Sequence, residues 1–182
     1  AEKIKIYEGK EQIIVSGFFF EDEWLWTVGA NNKIYKSKDM SKWDLVGSFP
    51  GTYKLSKYFT AKGDVLVKHG DLISVRMDFE NGLLISNDGG KSWFEKFPGK
   101  TVNDQTLDYC GRLYVALDPT FDYKLPYNGL FMSSDSGKNF SHFVNYSEIH
   151  KVDITDLEVA GDMLYAATFS GGLWRTKLNS CN

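Results

Sequence analysis

Four short strings recur along this 182-residue chain at nearly even intervals. They are Lys33-Ile34-Tyr35-Lys36-Ser37, Gly82-Leu83-Leu84-Ile85-Ser86, Gly129-Leu130-Phe131-Met132-Ser133 and Gly172-Leu173-Trp174-Arg175-Thr176. Their closing hydroxyl residues stand 49, 47 and 43 positions apart. A period of about 45 residues marks supersecondary units that stack, because one such unit cannot bury its own apolar face.

Each of the first three strings runs into a related turn. The clearest is Ser86-Asn87-Asp88-Gly89-Gly90-Lys91-Ser92-Trp93, followed by Ser133-Ser134-Asp135-Ser136-Gly137-Lys138-Asn139-Phe140. A third, Ser37-Lys38-Asp39-Met40-Ser41-Lys42-Trp43, is one residue shorter and lacks the glycine. The chemistry suits a hairpin end. A short Asp side chain accepts backbone N–H groups in a tight turn, a Gly reaches positive φ without strain, and a large ring opens the next strand and buries apolar area. On these residues the chain resembles the BNR/Asp-box repeat family, whose motif reads Ser-x-Asp-x-Gly-x-Thr/Ser-Trp. The resemblance implies a β-propeller in which Ser37, Asp39, Trp43, Ser86, Asp88, Gly90, Trp93, Ser133, Asp135, Gly137 and Phe140 are scaffold, at the hairpin between the third and fourth strands of each blade. Sialidases, sortilin-type receptors and photosystem assembly factors carry such boxes.

Reading outward from the boxes gives four short strands per repeat, apolar or alternating and bounded by Gly, Asp or Asn. The first repeat supplies 13–20, 24–28, 34–37 and 43–46. The second supplies 55–61, 72–77, 83–86 and 93–97, and the third 102–109, 112–117, 130–133 and 140–144. The fourth has 152–159, 163–168 and 173–177, with Leu178 where the box Asp belongs. The missing strand has a counterpart at the other terminus, because Ile4-Lys5-Ile6-Tyr7-Glu8-Gly9-Lys10 is similar to Phe94-Glu95-Lys96-Phe97-Pro98-Gly99-Lys100. The expected fold is all-β: one propeller domain over 1–182, with repeats near 11–50, 51–98, 99–145, and 146–178 plus 3–9. Four four-stranded blades then close with the N-terminal strand completing the last, which hides two sheet edges. Two alternatives stand beside this reading. Two chains exchanging terminal strands would share a ring of eight, and a longer propeller could have been cut.

Composition narrows the function. The net charge is −3 and Arg76, Arg112 and Arg175 are the only arginines. The clustered cations that displace counterions from phosphates are missing, which argues against nucleic acid. The apolar runs are far too short to span a membrane. His69, His142 and His150 are not spaced as ligands, so no metal is expected, and nothing implies a cofactor. Ala1 in place of Met fits a removed leader, so the expected location is extracellular or periplasmic. Cys110 and Cys181 either bridge or remain free thiols; blade placement sets them near one end of neighbouring repeats. Asn139 and Asn145 head glycosylation sequons.

Function in a propeller belongs to the loops between second and third strands and between blades. The longest runs from Asp118 to Asn128, and the neighbouring repeat contributes 78–81. One face would gather Asp78, Glu80, Asp118 and Asp122 with Phe121, Tyr123 and Tyr127. Rings among carboxylates suit a protein partner, a glycan or a cation, and equally suit a loop packing on the blades beneath it. Sialidase chemistry is not expected, since no arginine lies in a Phe/Tyr-Arg-Ile-Pro motif and Arg76 and Arg175 fall mid-strand, fit for ion pairing or an exposed blade edge. The sequence reading is a non-catalytic binding or scaffolding propeller with a protein or glycan partner, monomeric or homodimeric. The alternative is a carbohydrate-active protein, lectin or glycosidase, using the long loop.

Overall fold

The computed structural model describes residues 5–8, 10–51, 66–77, 81–118, 129–143, 153–169 and 171–181. Every regular element is a strand, and no helix of the described residues is long and apolar enough to cross a membrane. The strands are β1 (Ile6–Glu8), β2 (Glu11–Ile13), β3 (Val15–Glu21), β4 (Trp24–Gly29), β5 (Lys33–Ser37), β6 (Asp44–Ser48), β7 (Leu66–His69), β8 (Leu72–Arg76) and β9 (Leu83–Ser86). They continue as β10 (Phe94–Lys96), β11 (Val102–Leu107), β12 (Leu113–Leu117), β13 (Gly129–Ser133), β14 (Ser141–His142), β15 (Ile154–Ala160), β16 (Met163–Thr168) and β17 (Gly172–Lys177). Consecutive strands pair antiparallel into sheet 1 (β3 to β6), sheet 2 (β7 to β10), sheet 3 (β11 to β14) and sheet 4 (β15 to β17), with β1 and β2 as a separate hairpin.

The sheets stack in chain order, each contributing one face to the next contact. Trp26, Val28 and Ile34 of sheet 1 meet Ile73, Val75 and Leu84 of sheet 2. The other face of sheet 2, with Leu72, Leu83 and Ile85, meets Leu113, Val115 and Phe131. Tyr114, Ala116 and Leu130 then meet Ile154, Leu164 and Ala166 of sheet 4. This sandwiching explains why β8 and β9 are buried at every position. A strand covered on both sides has no face left for polar alternation. At the end of the stack, β17 shows the opposite pattern, with Leu173, Arg175 and Lys177 exposed.

The second residue of each recurring string makes the point sharply. Ile34 and Leu83 are 0% exposed and Leu130 is 2% exposed, because each faces the following sheet, whereas Leu173 is 71% exposed. No buried cluster among the described residues joins sheet 4 to sheet 1.

Polar groups tie the sheets near the innermost strands. Ser74 Oγ donates to Gln105 Oε1 at 2.6 Å, and the Gln105 amide donates to Ser74 O at 3.2 Å. Buried Asp104 accepts the Leu157 N–H at 2.5 Å across the contact between sheets 3 and 4. The register of β3, β11 and β15 slips at Val15/Gly17, Val102/Asp104 and Ile154/Asp156. A bulge bends a strand and re-aims its side chains; in β11 it accompanies the carboxylate turned toward sheet 4.

Two sequence expectations need correction. The inner strand of sheet 2 is β7, four residues at 66–69 paired with β8 through the His69-Gly70-Asp71 turn; the expected segment 55–61 lies outside the described residues. The N-terminal strand does not complete sheet 4 within the chain. It pairs with β2, Ile6 opposite Ile13, and both pack on Tyr35 of sheet 1, so among the described residues sheet 4 has three strands. The physical reason is burial: Ile6 finds an apolar surface on its own neighbour in sequence. Cys110 and Cys181 are bridged, with Cα atoms 5.5 Å apart.

Candidate functional site

The boxes form as their chemistry requires. In the turn after β9, Asp88 Oδ1 accepts the N–H groups of Lys91 (3.0 Å) and Ser92 (2.9 Å), Oδ2 accepts the Ser92 hydroxyl (2.5 Å), and Ser86 Oγ accepts the Gly90 N–H (2.8 Å). After β13, Asp135 accepts the Asn139 N–H and the Asn139 side-chain amide, both at 2.8 Å, and Ser133 Oγ accepts the Gly137 N–H at 2.9 Å. The short copy keeps the scheme: Asp39 accepts from Ser41 and Ser37 Oγ from the Met40 N–H, and Met40 takes φ +63° in the absence of the glycine. Gly90 and Gly137 sit at φ +91° and +78°. Trp93 packs edge-on to Phe49 at 5.9 Å, and Phe140 to Phe97 at 4.8 Å.

These bonds hold the acids ionised. The Ser92 hydroxyl and then its N–H drive Asp88 far below the usual carboxylate range. The Asn139 N–H, followed by its amide, lowers Asp135 to about 2. Carboxylates saturated by turn donors have little left for substrate.

At the same end lies a brace. Asp108 accepts the N–H groups of Cys110 and Arg112, both at 2.9 Å, the Arg112 Nε–H at 2.6 Å and the Tyr114 hydroxyl at 3.0 Å. Burial, then the Asp108 charge, pushes the Tyr114 hydroxyl pKa up. Arg112 also donates to Asn179 O at 2.6 Å, strapping the C-terminal tail beside the disulfide. The other arginines are elsewhere: Arg76 is buried between sheets 2 and 3 and donates to Val102 O at 3.4 Å, and Arg175 is exposed on β17. Arg76 is therefore not at an exposed edge.

The strand ends that flank the loops expected to bind, at Met77, Asp118 and Gly129, lie at the opposite end. Of the expected residues, Asp78, Glu80, Phe121, Asp122, Tyr123 and Tyr127 lie outside the described residues. Asp118 is described, half-buried where β12 ends, its N–H donating to Thr101 O at 2.9 Å. Burial, then the charge of Asp153, raises its carboxyl pKa. Asp153 accepts the Asn103 side-chain amide at 2.7 Å, and that amide also donates to Ile154 O at 3.0 Å. Phe169, whose N–H donates to Asp153 O at 2.9 Å, is 78% exposed. Asp153, Asn103 and Phe169 carry no local motif: the first two meet across 50 positions of sequence. Among the described residues no group of three or more His, Cys, Asp or Glu is placed to hold a metal ion.

Comparison with solved structures places this architecture. The chain is similar to the Niastella koreensis GH74 enzyme, at 15% identity and TM-score 0.65 over 90% of this chain and 28% of that one. It is similar to YCF48 bound to D1 peptide, at 11% identity and TM-score 0.63 over 94% of this chain and 52% of the other. It also matches the computationally designed Ika4 protein, at 8% identity and TM-score 0.61 over 98% and 99%. The fold is that of a β-propeller. The chain spans about a quarter of the GH74 enzyme and about half of YCF48. No protein-family sequence model matches it, and no curated protein matches it. At these identities the likeness extends to the fold alone.

Proposed function

We propose that this propeller is a non-catalytic binding or scaffolding module that presents the loop end of sheets 2, 3 and 4 to a protein or glycan partner outside the cytoplasm. The observation that carries it is Phe169, a large exposed ring on a residue whose N–H donates to Asp153 O, while the acids at the opposite end are bound up in turns. A large exposed ring can serve as an anchor for recognition when a partner covers it. Asp78, Glu80, Phe121, Asp122, Tyr123 and Tyr127 are the further contact residues on this reading. The disulfide supports an oxidising compartment. The experiment is partner capture by photo-crosslinking from the native source, comparing the wild-type chain with Phe169→Ser and Asp118→Asn. The same cross-linked species should fall at least about tenfold with Phe169→Ser, roughly the loss of one apolar anchor. Equal recovery from both variants and wild type removes this surface from the account.

A second reading is favoured by one observation, the raised carboxyl of Asp118 beside Asp153. Two neighbouring carboxyls, one of them made harder to ionise, are an arrangement that glycoside hydrolysis uses. Release of reducing sugar from a polysaccharide panel, abolished by Asp118→Asn, would establish it in place of the first.

A further inference from the structure

Among the described residues sheets 1 to 3 have four strands and sheet 4 has three. The residues after β17 are committed elsewhere: buried Leu178 donates its N–H to Asp162 O at 2.7 Å, Asn179 O takes the Arg112 guanidinium, and Cys181 is bonded to Cys110. The outer edge of β17 has no strand on it among the described residues. Such an edge is a template for another strand.

Strand β1 is the reverse case, a strand belonging to none of the four sheets. Ile6 packs on Tyr35, which lies on the face of sheet 1 turned away from sheet 2, since it is opposite Thr27 while Ile34 and Val28 face sheet 2. Leu84 and Phe131 hold the same position in their strings, and each meets the preceding sheet. Strand β1 therefore lies where the outer strand of a preceding sheet belongs. On that same face of sheet 1, opposite Thr27 and Leu25, Phe18 and Phe20 are strongly exposed.

We propose that β1 of a second copy of this chain adds to β17 as the fourth strand of sheet 4, and that the reciprocal contact closes a ring shared by two chains. The likeness of 4–10 to 94–100, combined with the pairing of Lys96 with Leu83, sets Ile6 opposite Leu173. The two side chains then face the same way, onto Tyr35, Phe18 and Phe20, and Leu173 gains the cover that Ile34, Leu83 and Leu130 already have. Tyr7 alternates with Ile6 and is presented to the other side of the strand. There, between sheets 3 and 4, lies an apolar pocket of about 90 Å³ beside Leu130, Phe143, Leu164 and Trp174. Trp93 and Phe140 follow β9 and β13 and pack between earlier sheets, and the turn after β17 has Leu178 where the box Asp belongs. The contact is head-to-tail, and repeating it once leaves no free end, a closed two-fold assembly.

The test is light scattering on the full chain, with cysteine pairing as the geometric check. The wild type runs at twice its 20.7 kDa chain mass at micromolar concentration. Leu173→Lys, at an exposed position, shifts it to one chain mass without lowering the melting temperature of the monomer. Because the ring has two identical contacts, a tenfold loss at each weakens dimerisation about a hundredfold. Air oxidation of a mixture of Ile6→Cys and Leu173→Cys chains gives a disulfide-linked heterodimer. A one-chain mass up to about 100 μM, a dimer that survives Leu173→Lys, or an Ile6→Cys/Leu173→Cys double variant that cross-links only within itself would each overturn the proposal. None of these results depends on whether the loop end binds a partner.

Discussion

Removing the Cys110–Cys181 bridge in a Cys110→Ser/Cys181→Ser variant should lower stability more than any single surface change. The bridge closes a loop of 71 positions running through sheets 3 and 4. Loop-closure entropy for that length corresponds to about 4 kcal/mol at 25 °C in the chain-entropy account. For a domain of this size a kilocalorie corresponds to roughly 2–4 °C, so the melting temperature should fall by roughly 8–16 °C. The native contacts of the tail act alongside the bridge: Leu178 is buried against sheet 4 and Arg112 holds Asn179 O. Because they persist without the covalent bond, the native fold remains and the loss appears as easier global unfolding. Urea titration and calorimetry of the variant and the oxidised wild type measure this loss directly. A fall below about 3 °C would mean that the tail is already loose in the folded protein, and would refute the view that it braces sheets 3 and 4.

Further expectations follow from the turns and the stack. Asp135 is held down to about 2, so its stabilisation is complete above the unfolded carboxylate value near 3.9 and disappears as pH falls toward 2; carbon NMR titration of its carboxyl should place the midpoint near 2, and Asn139→Ala should raise it. A midpoint near 4 in the wild type contradicts the hydrogen-bond scheme. Gly82 and Gly161 have nearly equal φ values of +62° and +61°, but a Cβ at Gly82 would stand 2.1 Å from Lys96 O, while at Gly161 it meets nothing within 4 Å. Gly161→Ala should cost about 1–2 kcal/mol, the left-handed penalty alone, and Gly82→Ala clearly more; equal denaturation midpoints would show that the β9–β10 approach is not so close.

The boxes and string positions were legible because each depends on side-chain types at fixed local offsets: Asp88 and Asp135 bind donors three or four residues away. Strand β7 was less legible. Both 55–61 and 66–69 have apolar residues suitable for a strand, and only pairing with Leu72–Arg76 across the Gly70 turn distinguishes the latter. The likeness of 4–10 to 94–100 marks the N-terminal segment as a strand but does not say which neighbour it pairs with, and the structure pairs it with β2. Asn103 and Asp153, in turn, meet only after sheets 3 and 4 have stacked. No local pattern records that contact.

The central claim is that the sheets stack in chain order and that the stack ends at the outer face of sheet 4. Leu83 and Leu173 hold the same position in their repeats, one buried between sheets 2 and 3 and one exposed. The decisive measurement is urea denaturation of Leu83→Ala and Leu173→Ala, each in a protein kept monomeric by dilution. The account predicts a loss of about 2–5 kcal/mol for Leu83→Ala, from lost burial and the cavity left behind, and a change within about 0.5 kcal/mol for Leu173→Ala. Equal losses in the monomer would contradict it, because Leu173 would then be covered within the single chain.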